Sequence, residues 1–397
     1  MIKNKVTIIG LGYVGLPLAE LIAKNELYDV HGFDLEKIDF PQASTDPTTI
    51  NESEYIIVCV PTPVKDDKEP NLAPLESACK TVAAQLEKGQ KIIIESTVNP
   101  GICEEVVLPI LEESGLKGGT DFELSHCPER INPGDPKWNV SNIPRNIGSL
   151  SKEGNKVVAD FYRSFVEAEI TEMSCLKVAE ATKVIENTFR DINIAYVNEL
   201  AKSFDIMGID LLEVIEGASN KPFSFMPHFP GCGVGGHCIP VDPYYLINRA
   251  KQAGFDHSFL KKAREINNSM PAYTVELLSK IKDLKDLNVA LFGISYKANV
   301  ADLRESPAHE IIKILEEKGA HVHKFDPHVP EQNEHPTLEE TLDASDAVIL
   351  CTFHDEFAAL SAELLVKHGI KIVIDGRNCL NKEAITEAGI IYKGIGH

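Results

Sequence analysis

The chain has 397 residues, 43% of them apolar and 25% charged, so it is too long for one ordinary domain and has the composition of a globular protein. Its formal net charge of -21 argues against nucleic acid and anionic membrane surfaces as partners. The longest uncharged apolar stretch, Val6 to Ala19, carries three glycines and falls short of the roughly 20 residues a membrane span needs.

No small-residue cleavage site follows that stretch, so no signal peptide is read and the cytoplasm is the expected compartment. The nine cysteines are odd in number and include no CxxC pair. That argues against a disulfide scaffold or a structural zinc module, and no metal site is read. Most of the nine are expected to be reduced and buried.

Lys5–Ile9 reads as a short β-branched strand. The turn Gly10-Leu11-Gly12-Tyr13-Val14-Gly15 follows, then a helical pattern, then a strand around Val30–Phe33 that closes on Asp34. Gly10 makes the tight turn, Gly12 lets backbone approach a pyrophosphate, and Gly15 lets helix and strand pack closely. The helix start offers unpaired N–H groups to phosphate. Asp34 lies 19 residues after Gly15, where an acid binds the ribose hydroxyls of NAD and repels the extra phosphate of NADP. An unliganded glycine turn is the bland alternative.

Tyr55–Val60, Lys91–Ile94 and Phe122–Ser125 are further buried strands alternating with helical stretches, as in a doubly wound parallel sheet. From Leu176 to Met207 there is neither Gly nor Pro, and apolar residues recur at helical spacing. One helix of about 48 Å is expected there, long enough to bridge domains or build a subunit interface. Lys183 and Asn187 share one face of it. They could stabilise an oxyanion, although on composition alone a solvated face is the better reading of such a pair.

The next informative stretch is Gly231-Cys-Gly-Val-Gly-Gly-His-Cys-Ile-Pro-Val-Asp242. Its glycines are costly to order and make sense where backbone approaches a ligand. A thiol at Cys238 beside them suggests covalent catalysis of an aldehyde step, the alternative being a buried structural cysteine. His237 is left without a catalytic role. Asn288–Phe292 opens a second strand-turn-helix unit, with Ser306 as N-cap before Pro307 and a strand Val322–Phe325 closing on Asp326. Ala347–Leu350 and Lys371–Ile374 supply further strands.

Together these stretches resemble the nucleotide-sugar 6-dehydrogenases, the UDP-glucose / UDP-N-acetylhexosamine / GDP-mannose dehydrogenase family. The resemblance rests on GLGYVGLP at the start, VPTP (Val60–Pro63), ESTVNPG (Glu95–Gly101), CPERINPGD (Cys127–Asp135), the helix with Lys183 and Asn187, GVGGHCIPVDPYY (Gly233–Tyr245) and YKANVADLRESP (Tyr296–Pro307). It implies an α/β fold with two Rossmann-like doubly wound domains joined by a long central helix. The implied parts are an NAD-binding domain over 1–175, a central dimerisation region with the cysteine loop over 176–278, and a UDP-sugar-binding domain over 279–397. It further implies a homodimer serving nucleotide-sugar metabolism and polysaccharide biosynthesis.

The same resemblance assigns roles. Cys238 would be the nucleophile, Lys183 and Asn187 the oxyanion donors, and Asp242 and Thr97 the water or proton network. Glu129 would serve thioester hydrolysis. NAD would be held by Gly10, Gly12, Tyr13, Val14, Gly15, Asp34, Pro61, Thr62 and Thr97, with Arg304 near it. The UDP-sugar would meet Glu129, Arg130, Lys183, Asn187, Phe229, Gly235, Lys297 and Arg377. His237 stands where glucose-specific relatives usually carry Ser, and Pro133 where they place a second glutamate. Both resemble the N-acetylhexosamine branch, and the INPGD form resembles enzymes of UDP-GlcNAc or UDP-GalNAc more than of UDP-ManNAc.

Three readings compete with a UDP-N-acetylhexosamine dehydrogenase. A UDP-glucose 6-dehydrogenase differs only in the sugar. A hydrolase or transferase pairing Cys238 with His237 has poor geometry, because adjacent residues rarely point at each other. A non-catalytic NAD sensor would need none of Cys238, Lys183, Asn187 and Asp242.

Overall fold

The computed structural model describes residues 3–65, 67–131 and 137–397, so Pro133 lies outside the described residues. The chain divides into two compact units, 1–186 with 244–256, and 187–243 with 257–397.

The first unit opens with β1 (Asn4–Ile9), α1 (Gly15–Ala23), β2 (Tyr28–Phe33), β3 (Ala43–Ser44), β4 (Tyr55–Val58), α2 (Ala73–Gln85) and β5 (Lys91–Ile94). It continues through α3 (Leu108–Glu112), β6 (Glu123–His126), β7 (Arg145–Ser149), α4 (Lys152–Arg163) and β8 (Ile170–Glu172). The sheet order is β3-β2-β1-β4-β5-β6-β7-β8. All pairs are parallel except β6 with β7. The first six strands follow the dinucleotide-binding order, with the reversal between β1 and β4. Apolar side chains fill both faces. Val6 and Ile8 pack with Ile22 and Phe161, and Ile56 and Ile92 pack with Leu75 and Val82.

β7 is a strand the periodicity does not announce, because it begins with a charge. Arg145 is fully buried and its Nη1 donates to Glu95 Oε1 at 3.2 Å. Tyr162 donates to the same oxygen at 2.5 Å. Burial pushes the Glu95 carboxyl up and Arg145 opposes it.

A single helix, α5 (Leu176–Met207), crosses from the first unit to the second and has the expected bounds. Then come α6 (Leu211–Ser219), the cysteine loop, α7 (Asp242–Gln252), α8 (Ser258–Asn268) and α9 (Met270–Ser279). The second sheet is built from β9 (Asn288–Phe292), β10 (His321–Phe325), β11 (Ala347–Leu350), β12 (Ile372–Asp375) and β13 (Ile391–Gly394), with α10 (Pro307–Glu317) after β9. Its order is β10-β9-β11-β12-β13 and every pair is parallel, the other common doubly wound arrangement. The protein is therefore α/β, with two Rossmann-like doubly wound units joined by a long helix. Among the described residues no helix is long and apolar enough to cross a membrane.

The buried side of α5 is unusual. Glu180, Lys183, Asp191 and Asn198 are buried, while Val178, Ile185, Phe189 and Tyr196 are exposed. The periodicity is helical as expected, but one apolar stripe faces outward, and the polar groups are buried beside Leu176, Ala179, Val184, Ala195, Val197 and Ala201.

Arg145→Met should cost about 3–5 kcal/mol, because it strands the buried Glu95 carboxylate. Urea denaturation of the two proteins measures this, and an unchanged midpoint would show that the pair is not needed.

Candidate functional site

In the first unit the three glycines of the turn do different things. Gly10 has φ +87°, and a Cβ there would stand 2.9 Å from Cys59 O. A Cβ on Gly15 would fall 1.9 Å from Gly10 O, so helix and turn can pack only through glycine. A Cβ on Gly12 would meet nothing within 4 Å. The open cradle at Gly12 and the absence of a side-chain cap on α1 at Val14 fit a pyrophosphate against the helix start. Tyr13 is exposed beside it. Asp34 follows β2 directly at this turn: its Oδ2 accepts from Leu11 N at 2.7 Å and its Oδ1 from Glu36 N at 3.1 Å. It remains partly exposed, as a ribose ligand must be.

The loops after β4 and β5 are tied together. Thr62 Oγ1 donates to Thr97 O at 2.7 Å, and Tyr245 Oη, from α7, donates to Thr62 O. Pro61 is exposed beside Thr62, and Thr97 is half-buried. Glu129 is buried and accepts from Ile131 N, with its own N–H donating to Glu95 O at 3.3 Å. Arg130 holds Glu186 through Nε at 3.1 Å and Nη2 at 2.6 Å, so its guanidinium is already engaged by a carboxylate. Lys183 is only 7% exposed and has no ion-pair partner among the described residues. Its side chain is therefore not on the solvated face that the residues alone allow.

In the second unit, Asn187 Nδ2 donates to Asp242 Oδ2 at 2.5 Å, so the structure joins two of the sequence-predicted catalytic residues. Asp242 N–H in turn donates to Cys238 O at 2.9 Å, as does Val241 N–H at 3.1 Å. Cys238 thus starts the turn that leads into α7, and its side chain is exposed. Five of the nine cysteines are buried, and Cys238 and Cys379 are the exposed ones.

The glycines before Cys238 have a reason the sequence did not supply. A Cβ on Gly235 would lie 2.6 Å from Tyr296 Cβ, and one on Gly236 would lie 2.7 Å from the Tyr296 ring. Gly236 N–H donates to Arg304 O at 2.9 Å. The loop is therefore pressed against the segment after β9, and these two glycines answer an internal neighbour before any ligand. His237 is half-buried, and burial, then the Arg304 charge, pull its pKa down. Arg304 itself grips Asp302 with Nε at 2.9 Å and Nη2 at 2.6 Å. Phe229 is exposed at the start of this stretch.

Lys297 follows the carboxyl end of β9, and Arg377 follows that of β12. The sheet order reverses at β9, where open α/β sheets hold ligands beyond their strand ends. The Arg377 guanidinium lies 3.2 Å from where a Cβ on Gly231 would be, which joins it to the glycine loop.

Composition did not single out the network beneath that loop. Asp191 on α5 accepts from Arg264 Nη1 and, at 2.8 Å, from Asn267 Nδ2. Asn198 Nδ2 donates to Asn267 Oδ1 at 2.9 Å, and Asn198 Oδ1 accepts from Gly231 N–H at 3.0 Å. The available signal was a set of polar residues recurring at helical spacing on α5, at 180, 183, 187, 191 and 198.

Comparisons agree on one family. The UDP-glucose/GDP-mannose dehydrogenase family matches through its NAD binding domain at residues 39–166, its central domain at 177–269 and its UDP binding domain at 290–382. A UDP-N-acetyl-D-mannosamine dehydrogenase of Pyrococcus horikoshii is 34% identical over 99% of each chain. A UDP-N-acetyl-D-glucosamine 6-dehydrogenase of Pseudomonas aeruginosa is 38% identical over 92% of this chain and 94% of its own. The solved structure of the Pyrococcus UDP-D-ManNAc dehydrogenase superposes with a TM-score of 0.91 at 34% identity, covering 99% of each chain.

Asp34 generates a cofactor prediction. The protein should reduce NAD far faster than NADP, and Asp34→Ala should narrow the gap by removing the carboxylate that repels a 2′-phosphate. Initial rates with both cofactors measure this. Equal use by the unmodified protein would contradict it.

Proposed function

The chain belongs to the UDP-glucose/GDP-mannose dehydrogenase family and is an NAD-dependent UDP-sugar dehydrogenase, and from that premise we propose that it oxidises the C6 alcohol of a UDP-N-acetylhexosamine, GlcNAc or GalNAc, to the carboxylate through a thioester on Cys238. The hydrogen bond from Asn187 to Asp242, one turn from an exposed Cys238, is the observation that carries this reading. NAD, when bound, supplies the hydride acceptor.

The alcohol is first oxidised to the C6 aldehyde, losing a hydride and a proton. Cys238 Sγ, as thiolate, adds to the aldehyde carbon to form a thiohemiacetal alkoxide. Lys183 and Asn187 donate to that oxygen, where charge develops. A second hydride leaves the carbon, and the thioester C=O forms. Water then breaks the C–S bond and returns the thiol, with Glu129 aiding hydrolysis and Asp242 and Thr97 holding the proton network. Lys297 and Arg377, two cations in an acidic chain, suit a diphosphate at the second sheet. Gly235, Phe229 and Arg130 are proposed to line the substrate, and Arg304 to lie near the cofactor.

We also propose a homodimer. Ile185 is 57% and Tyr196 58% exposed on the outward stripe of α5. Phe189 and Tyr196, with Phe225, Met226 and His228, line a cavity of about 440 Å³. Phe223, Met226 and Phe229 are exposed nearby in sequence. An apolar surface of this kind is covered in a stable assembly, and the commonest assembly is a twofold dimer.

Rates with UDP-GlcNAc, UDP-GalNAc, UDP-ManNAc and UDP-glucose test the substrate. An N-acetylated sugar should turn over fastest, with GlcNAc or GalNAc ahead of ManNAc. UDP-glucose ahead of all three would overturn the branch assignment. Cys238→Ser should nearly abolish uronic acid formation, with half-buried Cys175→Ser near wild type, and Asn187→Ala should slow kcat about 10²–10³-fold. Near-normal product from Cys238→Ser would overturn the covalent route. Light scattering should give a dimer that Phe189→Ser with Tyr196→Ser dissociates, and a monomeric wild type would remove the dimer.

A further inference from the structure

We infer that His323, Glu334 and His335, at the edge of the second sheet, form a binding site for a zinc-class divalent cation. Nothing in the dehydrogenase chemistry uses these residues, and the ligand atoms of all three lie within 4.8 Å of one another.

Asn288, on β9, fixes the orientation of His323. Its Nδ2 donates to Asp346 Oδ2 at 3.2 Å, and a carboxylate can only accept, so the amide orientation is set. Asn288 Oδ1 then faces His323 Nε2 at 3.4 Å and must receive its proton. A neutral His323 therefore keeps an unprotonated Nδ1. That nitrogen lies 3.4 Å from Glu334 Oε2, another acceptor, and 3.3 Å from His335 Nε2. A His335 Nε2–H can donate to that nitrogen, and a metal ion at the same point would instead be held by all three atoms. A proton on His323 Nδ1 can serve one neighbour at a time, whereas a metal ion serves all three. An imidazole whose second nitrogen is held by a fixed carbonyl oxygen is the usual arrangement of a ligating histidine.

The two separations from His323 Nδ1, 3.3 and 3.4 Å, fit. Metal–nitrogen bonds of about 2.0–2.1 Å at tetrahedral angles put neighbouring ligand atoms about 3.3 Å apart. Two imidazoles and one carboxylate select zinc, cobalt, nickel or copper over magnesium or calcium, and leave a position for water. The backbone around the site is restrained. Glu334 N–H donates to Lys324 O at 3.1 Å, which lays the segment along β10. Pro336 follows His335 and holds it extended, and Thr337 caps the next helix. Lys324 Nζ lies 3.6 Å from Glu334 Oε1, leaving Oε2 to the ion. The metal would clip the edge strand β10 to the segment 330–336, and because it binds only the folded chain it would raise Tm.

The test is isothermal titration of Zn²⁺ into chelator-stripped full-length protein, with Co²⁺ absorption as the second measurement. One equivalent should bind, raise Tm, and give cobalt d–d bands without the thiolate charge transfer that ligation by Cys238 would produce. His335→Ala and His323→Ala should each weaken binding more than about tenfold and abolish the Tm rise. Both should keep the metal-free Tm and the dehydrogenase rate, which shows that they fold. Wild-type protein that binds no Zn²⁺, or variants that bind it as tightly as wild type, would overturn the site.

Discussion

A carboxylate buried on a helix has to be met by donors, and on α5 two such carboxylates fix what the chain around them does. Left unpaired, each would cost several kcal/mol. In the first unit, Glu180 accepts from Gly101 and Cys103 N–H, which pins the loop after β5 to the helix. In the second, Asp191 holds Arg264 and Asn267, and through Asn198 the network reaches Gly231 at the start of the cysteine loop. Asn187, one turn before Asp191, donates to Asp242 at the other end of that loop. The loop bearing Cys238 is thus anchored at both ends to one helix. The nucleophile proposed for Cys238 would need that kind of support, since small misplacement of a reacting atom costs a large part of the rate.

The two sheets repeat one device and use it differently. In each, a glycine with positive φ follows the first strand, Gly10 at +87° and Gly293 at +81°, and an acid at the end of the next strand accepts from the turn. Asp326 is fully buried and takes donors from Ile294, Ser295 and His354. Burial pulls its carboxyl up, but those hydrogen bonds outweigh burial and hold it well below the usual carboxylate range. Asp34 has fewer protein partners and stays partly exposed. Asp326 is committed to structure, whereas Asp34 keeps exposed surface beside its glycine turn.

Most of the fold was legible because its signals are local. Strands such as Lys91–Ile94 and Ala347–Leu350 are short apolar runs, and α5 is the longest stretch free of Gly and Pro in its region. What escaped has non-local causes. β7 was missed because Arg145 looks like a surface residue until Glu95 and Tyr162 are seen to satisfy it. The inward direction of Asp191 depends on its partners Arg264 and Asn267 in α8. The glycine run points to a ligand, but at Gly235 and Gly236 it is Tyr296, some 60 residues on, that sets their size. His323, Glu334 and His335 carry no recognisable spacing, because an edge strand and a loop bring them together.

In the proposed route one site carries the sugar through two oxidations without releasing the aldehyde. The most direct measurement is the amount of NADH formed per UDP-sugar consumed, with the product followed by mass spectrometry in water enriched in ¹⁸O. The account predicts two NADH per sugar, no free aldehyde, and one solvent oxygen in the carboxylate from thioester hydrolysis. One NADH per sugar with free aldehyde as product would contradict it.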